Sequence, residues 1–271
     1  MLSRWLLRAE GLAFLSIGVF LFLAPHRQAA LIFSSPGEGV VWHLVRCIGA
    51  QLVALAFACL GVARWRNRDA HSSLFYALTL TFTVKLVAVL HAKANFTDDF
   101  LPDGMAGEVW VHVAALVFNL IGLLSCGGLN LGQSLLRNNS NLFHQLVYLD
   151  VFASTAIGFA WIAVPEWLLH RQTVVQMGGP HMFLGRNMGA VFLGSGFVSA
   201  QAIYWQGLAE RRIACYTRLL MCLGIWNAQI WSQMAYGEWW LGTHWVGIGL
   251  YSLWLLGALL VSCNVARGRF K

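Results

Sequence analysis

The sequence predicts an all-α integral membrane protein with eight transmembrane helices, arranged as two tandem four-helix bundles. Three observations lead there. Of the 271 residues, 58% are hydrophobic and only 11% are charged, less than half of the roughly 25% found in a soluble domain. Mean hydropathy is +0.64. Long apolar runs recur along the chain, and the first half matches the second at a constant offset. A soluble globule of this length needs a charged shell that this chain lacks. An ordinary soluble enzyme, a disordered chain and a fibrous protein are therefore excluded.

Each of the eight runs approaches the length that crosses a ~30 Å hydrocarbon core. They cover roughly 6–24, 40–63, 72–92, 108–126, 146–164, 182–204, 213–231 and 242–262. Backbone groups in lipid must pair within their own segment, so the runs are helices; they lack the alternation of barrel strands. The first follows Arg4 and Arg8 and has the look of a signal peptide. Pro25-His26-Arg27 follows it without a small-x-small cleavage pattern, so it is read as a retained helix. The second run ends before Arg64, the third before Lys93, and the fourth before Gly127-Gly128. Pro165 closes the fifth, Gly178-Gly179-Pro180 precedes the sixth, and Arg211-Arg212 separate the sixth from the seventh.

The short loops carry an uneven charge. The amino terminus, alternate loops and carboxyl tail hold Arg4, Arg8, Arg64, Arg66, Arg68, Arg137, Arg211, Arg212, Arg267, Arg269 and Lys271; the opposite loops hold only Arg27, Lys93 and Arg171. The positive-inside rule then places both termini in the cytosol, in the plasma membrane or an endomembrane. The net charge of +7 thus reads as membrane orientation, with the lipid bilayer as partner and no nucleic acid. Asn95-Phe96-Thr97 is a glycosylation sequon on an outer loop, whereas Asn138-Asn139-Ser140 falls on the cytosolic side.

At one constant offset Glu10 aligns with Asp150, Gly18 with Gly158, Pro25 with Pro165, Arg46 with Arg186, Gly49-Ala50 with Gly189-Ala190 and Trp65 with Trp205. The match is strongest over the first two helices of each half. It divides the chain into a first repeat over 1–126, a cytosolic linker over 127–145 and a second repeat over 146–271. An even number of spans per unit gives a parallel repeat, with its axis along the membrane normal. Ala24-Pro25-His26-Arg27 with Arg46-Cys47-Ile48-Gly49, and Val164-Pro165-Glu166-Trp167-Leu168 with Arg186-Asn187-Met188-Gly189, resemble the four-helix membrane unit of the p53-inducible protein 11 family and, more loosely, the DoxX-like families. The resemblance covers the first two helices of each half. It implies a membrane bundle and no particular reaction.

A charge at mid-membrane costs at least ~2.5–3.5 kcal/mol, so each one needs a partner or a watery cavity. Glu10, Arg46, Lys85, Asp150, Arg186 and Arg218 are such charges. One reading makes a polar pocket in each bundle, with Arg46 or Arg186 contacting a ligand and Lys85, Glu10 and Asp150 beside them. The other makes the arginines struts that fix the helix hairpins. Glu10 and Asp150 lie toward the inner end, near Arg8 or Arg137. His43, His91 and His112 fall at similar depth on three helices and form a weaker metal-site hypothesis. Six cysteines form no C-x-x-C pair; Cys126, Cys215 and Cys263 near inner helix ends are sites for either palmitoylation or burial.

No nucleotide-binding loop, dinucleotide fingerprint or nucleophile elbow occurs, so no cofactor is expected. The function expected is non-enzymatic: binding of a lipid or small ligand, or an accessory role for other membrane proteins. A transporter or channel with a pathway lined by Arg46 and Arg186 is the alternative, and an intramembrane redox or lipid-modifying enzyme the third.

Overall fold

A computed structural model of the chain describes residues 1–35, 37–65, 67–128, 142–202, 204–205 and 208–266. Among these residues ten α-helices run in order: α1 (Leu2–Leu23), α2 (Pro25–Ile32), α3 (Gly39–Val62), α4 (Arg68–Asn95), α5 (Pro102–Ser125), α6 (Leu142–Ala163), α7 (Pro165–His170), α8 (Gly179–Ala202), α9 (Leu208–Ala235) and α10 (His244–Ala266). Among the described residues there is no β-strand, only the isolated bridges Phe33–Phe100 and Thr173–Trp240. Most of the 127–145 segment lies outside the described residues, as do Arg66, Arg137, Asn138, Arg267, Arg269 and Lys271.

Local chemistry sets the helix ends. Pro25 and Pro165 lack an amide hydrogen and cannot continue α1 or α6, yet each suits the first position of a new helix. The Asn67 Oδ1 accepts the Asp69 and Ala70 amides at 3.0 and 3.4 Å and starts α4. Element bounds recur at the offset of the sequence repeat: 2–23 with 142–163, 39–62 with 179–202, 68–95 with 208–235, and the 3-10 turns 97–99 with 237–239. The two isolated bridges recur at the same offset.

Glycine permits the closest contacts. A Cβ on Gly49 would lie 2.7 Å from the Gly18 carbonyl oxygen, and one on Gly189 would lie 2.7 Å from that of Gly158. The backbones of α1 and α3, and of α6 and α8, therefore touch directly.

The packing of the long helices crosses the midpoint of the chain. α3 packs mainly on α1, α9 and α8, and α4 on α5 and α8, while α3 and α4 barely meet. Four helices drawn alternately from both halves thus form the centre, and α1, α5, α6 and α10 flank it. One apolar core holds Leu44 and Phe75 together with Phe192 and Ile225. The halves are divided along the sequence but do not have separate cores. At one end Asp99 Oδ2 accepts the Gly179 amide at 2.7 Å, and His181 Nε2 lies 2.6 Å from Glu38.

Among the described residues six helices are long and apolar enough to cross a membrane: α1, α3, α4, α5, α10 and, over Gln145–Ala163, α6. The sequence reading expects eight. α8 is rich in small and polar residues and almost wholly buried, and α9 carries Glu210, Arg211, Arg212 and Arg218. α8 sits centrally among other helices and exposes few apolar side chains, whereas α9 keeps an exposed apolar face with Leu223, Trp231 and Met234 and is set apart by the charges of its first half. α10 exposes Leu250, Leu253 and Leu260.

Candidate functional site

Among the described residues two large cavities lie in the bundle, one lined mainly by each half. The first, of about 460 Å³, is walled by α1, α3, α4 and α5, with Phe183, Leu184 and Asn187 from α8. It reaches the bundle surface beside α1 and α5, whose lining residues Ile17 and Val111 are 46% and 55% exposed. The second, of about 530 Å³, lies among α6, α8, α9 and α10 and opens past Leu149 and Leu253. Both walls are mostly apolar, and each encloses one acid of the repeated pair, Glu10 or Asp150.

The two acids have different surroundings. Asp150 accepts Ser199 Oγ at 2.8 Å, Arg218 Nε at 2.9 Å and Trp254 Nε1 at 2.9 Å. Arg218 also donates to Ser195 Oγ at 3.2 Å and stacks over Trp254. Every strong group is paired, so this network closes on itself. Among the described residues Glu10 Oε1 accepts only Asn119 Nδ2, at 2.6 Å, while Glu10 Oε2 and Asn119 Oδ1 are buried without a partner. The sequence accounts for the contrast: at the repeat offset Leu78 is the counterpart of Arg218, and Cys59 the counterpart of Ser199. The first half keeps the acid and lacks its cation and hydroxyl.

More unpaired groups line the first cavity. Lys85 is 7% exposed. Its ammonium lies 5.5 Å from the Phe82 ring and within the field of Glu108, but it donates no hydrogen bond among the described residues. His112 Nδ1 lies 2.6 Å from the Glu108 carbonyl oxygen, which can only accept, so Nδ1 carries the hydrogen. The His112 Nε2 is then buried and unpartnered, and so is Asn187 Oδ1. A native interior leaves few polar groups in that state. Three side chains that line this cavity, Glu10, His112 and Asn187, each keep a buried polar atom without a partner, which makes it the candidate site for a polar guest.

The structure sorts the residues expected from sequence. Glu10 and Lys85 share the first cavity, and Asp150 lines the second. Arg46 and Arg186 line neither. Arg46 donates to the Tyr236 hydroxyl at 3.4 Å and lies over Trp231 and Tyr236. Arg186 donates to the Ile162 carbonyl and lies 3.2 Å from His91 Nδ1. Each arginine thus joins a helix of one half to a helix of the other, α3 to α9 and α8 to α4.

Two expectations need correction. The partner of Asp150 is Arg218, and Glu10 pairs with Asn119, because helix packing rather than chain proximity supplies the partner. His43, His91 and His112 do not assemble a metal site: His43 faces Trp240 and His244, His91 faces Arg186, and His112 faces Glu108. Similar depth put them on helices that turn different ways. Among the described residues no group of three metal-binding side chains occurs. All six cysteines are free. Cys126 and Cys215 are buried, which shields their thiols from acylation, whereas Cys263 is exposed. Asn95 is the exposed last residue of α4, its Nδ2 bound to the His91 carbonyl at 2.8 Å.

Sequence reading missed Asn119 and Asn187, which pair with Glu10 and line the first cavity respectively. The available signal was an amide inside an apolar run, which ionisable residues had overshadowed.

The fold and its cavities define a helical-bundle protein with, among the described residues, six helices of membrane-crossing length and hydropathy. The chain belongs to the family described as Domain of unknown function (DUF8292), whose model matches residues 8–263. No curated protein and no solved structure matches it significantly.

Proposed function

We propose that this chain is an integral membrane protein of eight spans, made by tandem duplication, whose first-half cavity binds a small amphipathic ligand drawn from the bilayer. The observation that carries the reading is the contrast between the two acids: Asp150 is fully paired, whereas Glu10, Asn119, His112 and Asn187 leave buried polar atoms open. A guest that pairs these atoms recovers the roughly 1–3 kcal/mol that each open group costs. The cavity reaches the bundle surface beside α1 and α5, where lipid would lie. The role is binding rather than catalysis.

The recurrence of element bounds and bridges at one constant offset supports duplication. α8 and α9 match α3 and α4 in length, which supports eight spans. The excess of arginine on one set of loops supports cytosolic termini. In this reading Glu10 and Lys85 contact ligand, Asp150 and Arg218 hold the second cavity's walls, and Arg46 and Arg186 brace the halves.

Mass spectrometry of small molecules retained by the purified chain tests the proposal. Ala115 and Ala13 line the first cavity, so Ala115→Trp and Ala13→Trp obstruct it. The expected result is a bound species present in the wild type and lost in both variants at unchanged thermal stability. Retention that neither variant alters would overturn the reading.

A further inference from the structure

The open groups of the first cavity lie at two depths. α5 carries His112 toward one end and Asn119, against Glu10, toward the other. Seven residues separate them, two turns along one helix face, or about 10 Å at the helical rise. Phe14, Ile48, Leu52 and Phe82 line the wall along with Ala115 and Phe118. The cavity is therefore apolar along its length and polar at both ends.

The polar ends specify the chemistry of the guest. At one end Lys85 donates, while His112 Nε2 in the neutral ring and Asn187 Oδ1 accept. A hydroxyl both accepts and donates, so one such group takes a hydrogen from Lys85 and gives its own to His112 or Asn187. At the other end Glu10, with its unpaired Oε2, lines the cavity, while Asn119, whose Oδ1 is also unpaired, lies behind it. A hydroxyl pairs with Glu10 in either proton state, donating to a carboxylate or accepting from a carboxylic acid. Charge argues in the same direction. An anionic guest would meet Glu10 and Glu108 against the single cation Lys85, and a cationic guest would face Lys85. A plain hydrocarbon would leave every open atom buried.

We infer that the first cavity takes a neutral lipid with a hydroxyl group at each end of an apolar body about 10 Å long. The inference rests on the reading of that cavity as a ligand site.

Four probes of equal chain length test it: octanediol, octanol, octanoate and octylamine, each bound to the full chain in lipid nanodiscs, with empty nanodiscs subtracted. Octanediol is expected to bind about fivefold to tenfold tighter than octanol, the worth of one added hydrogen bond. Glu10→Met is expected to bring octanediol to the octanol level and leave octanol unchanged. If that variant does not fold, His112→Phe carries the same test from the other end. Tightest binding by octanoate or octylamine overturns the inference. So does equal binding of octanol and octanediol. In either case, affinity that Ala115→Trp abolishes leaves the ligand site itself standing. If Ala115→Trp changes the binding of no probe, the inference and the site fall together.

Discussion

The pairing of Asp150 with Arg218 can be tested by breaking it from one side and then from both. The Arg218 side chain is 6% exposed and that of Asp150 is 15% exposed, so water cannot rescue either partner alone. Arg218→Leu leaves Asp150 with Ser199 and Trp254 but no cation. Stranding one charge of a buried pair costs about 3–5 kcal/mol. The double variant Asp150→Leu, Arg218→Leu removes both charges and places at 218 the residue found at Leu78 in the first half. Replacing an entire buried pair with apolar residues is often nearly neutral. The double variant is therefore expected to be more stable than Arg218→Leu, with a coupling energy of at least about 1.5 kcal/mol. Denaturant titration of the purified chain in mixed micelles measures this through tryptophan fluorescence, with Trp254 as a local reporter. If Arg218→Leu costs less than about 1 kcal/mol, or if the two single variants sum to the double, the closed network is not what stabilises the second half.

Other predictions follow from contacts and placement. Gly49→Leu should destabilise by about 1–3 kcal/mol or more, since a Cβ there meets the Gly18 oxygen and Phe22 nitrogen, both backbone, at 2.7 Å. Gly107→Ala, with nothing within 4 Å of its Cβ, is the neutral control in the same titration. Arg46→Ala and Arg186→Ala should lower stability, Arg46→Ala by about 1–2 kcal/mol through its two ring contacts, and leave small-molecule retention unchanged; lost retention would return them to the ligand site. With both termini cytosolic, an impermeant thiol reagent should label Asp98→Cys on intact cells and spare Arg64→Cys, and the reverse pattern would invert the proposed orientation.

The helices were legible in the sequence because each one answers to its own composition. The expected run at 40–63 corresponds to α3 at Gly39–Val62, and Pro25 and Pro165 mark the breaks after α1 and α6. The Gly18–Gly49 and Gly158–Gly189 approaches follow from residues singled out by the repeat. The site was legible only in part. Glu10 and Lys85 stood out as charges in apolar runs, and both line the first cavity. Arg46 and Arg186 stood out equally, yet they brace helices of opposite halves. Depth along a helix follows from counting residues, but the neighbour a side chain faces depends on how that helix is rotated in the bundle.

What the sequence by itself determined is the helical class, the bounds of the helices and the apolar character of most of them. These follow from short-range terms: backbone pairing within a segment, proline at a break, and apolar surface spread along a run. Tertiary structure decided that the four central helices alternate between the halves, that Arg218 reaches Asp150 across 68 residues, and that Glu10 is left with an open oxygen. Partners of that kind come from interhelical packing. Leu78 and Cys59 stand in the first half where Arg218 and Ser199 stand in the second, but only the folded arrangement reveals that the latter are the partners of Asp150 and that Glu10 lacks their equivalents.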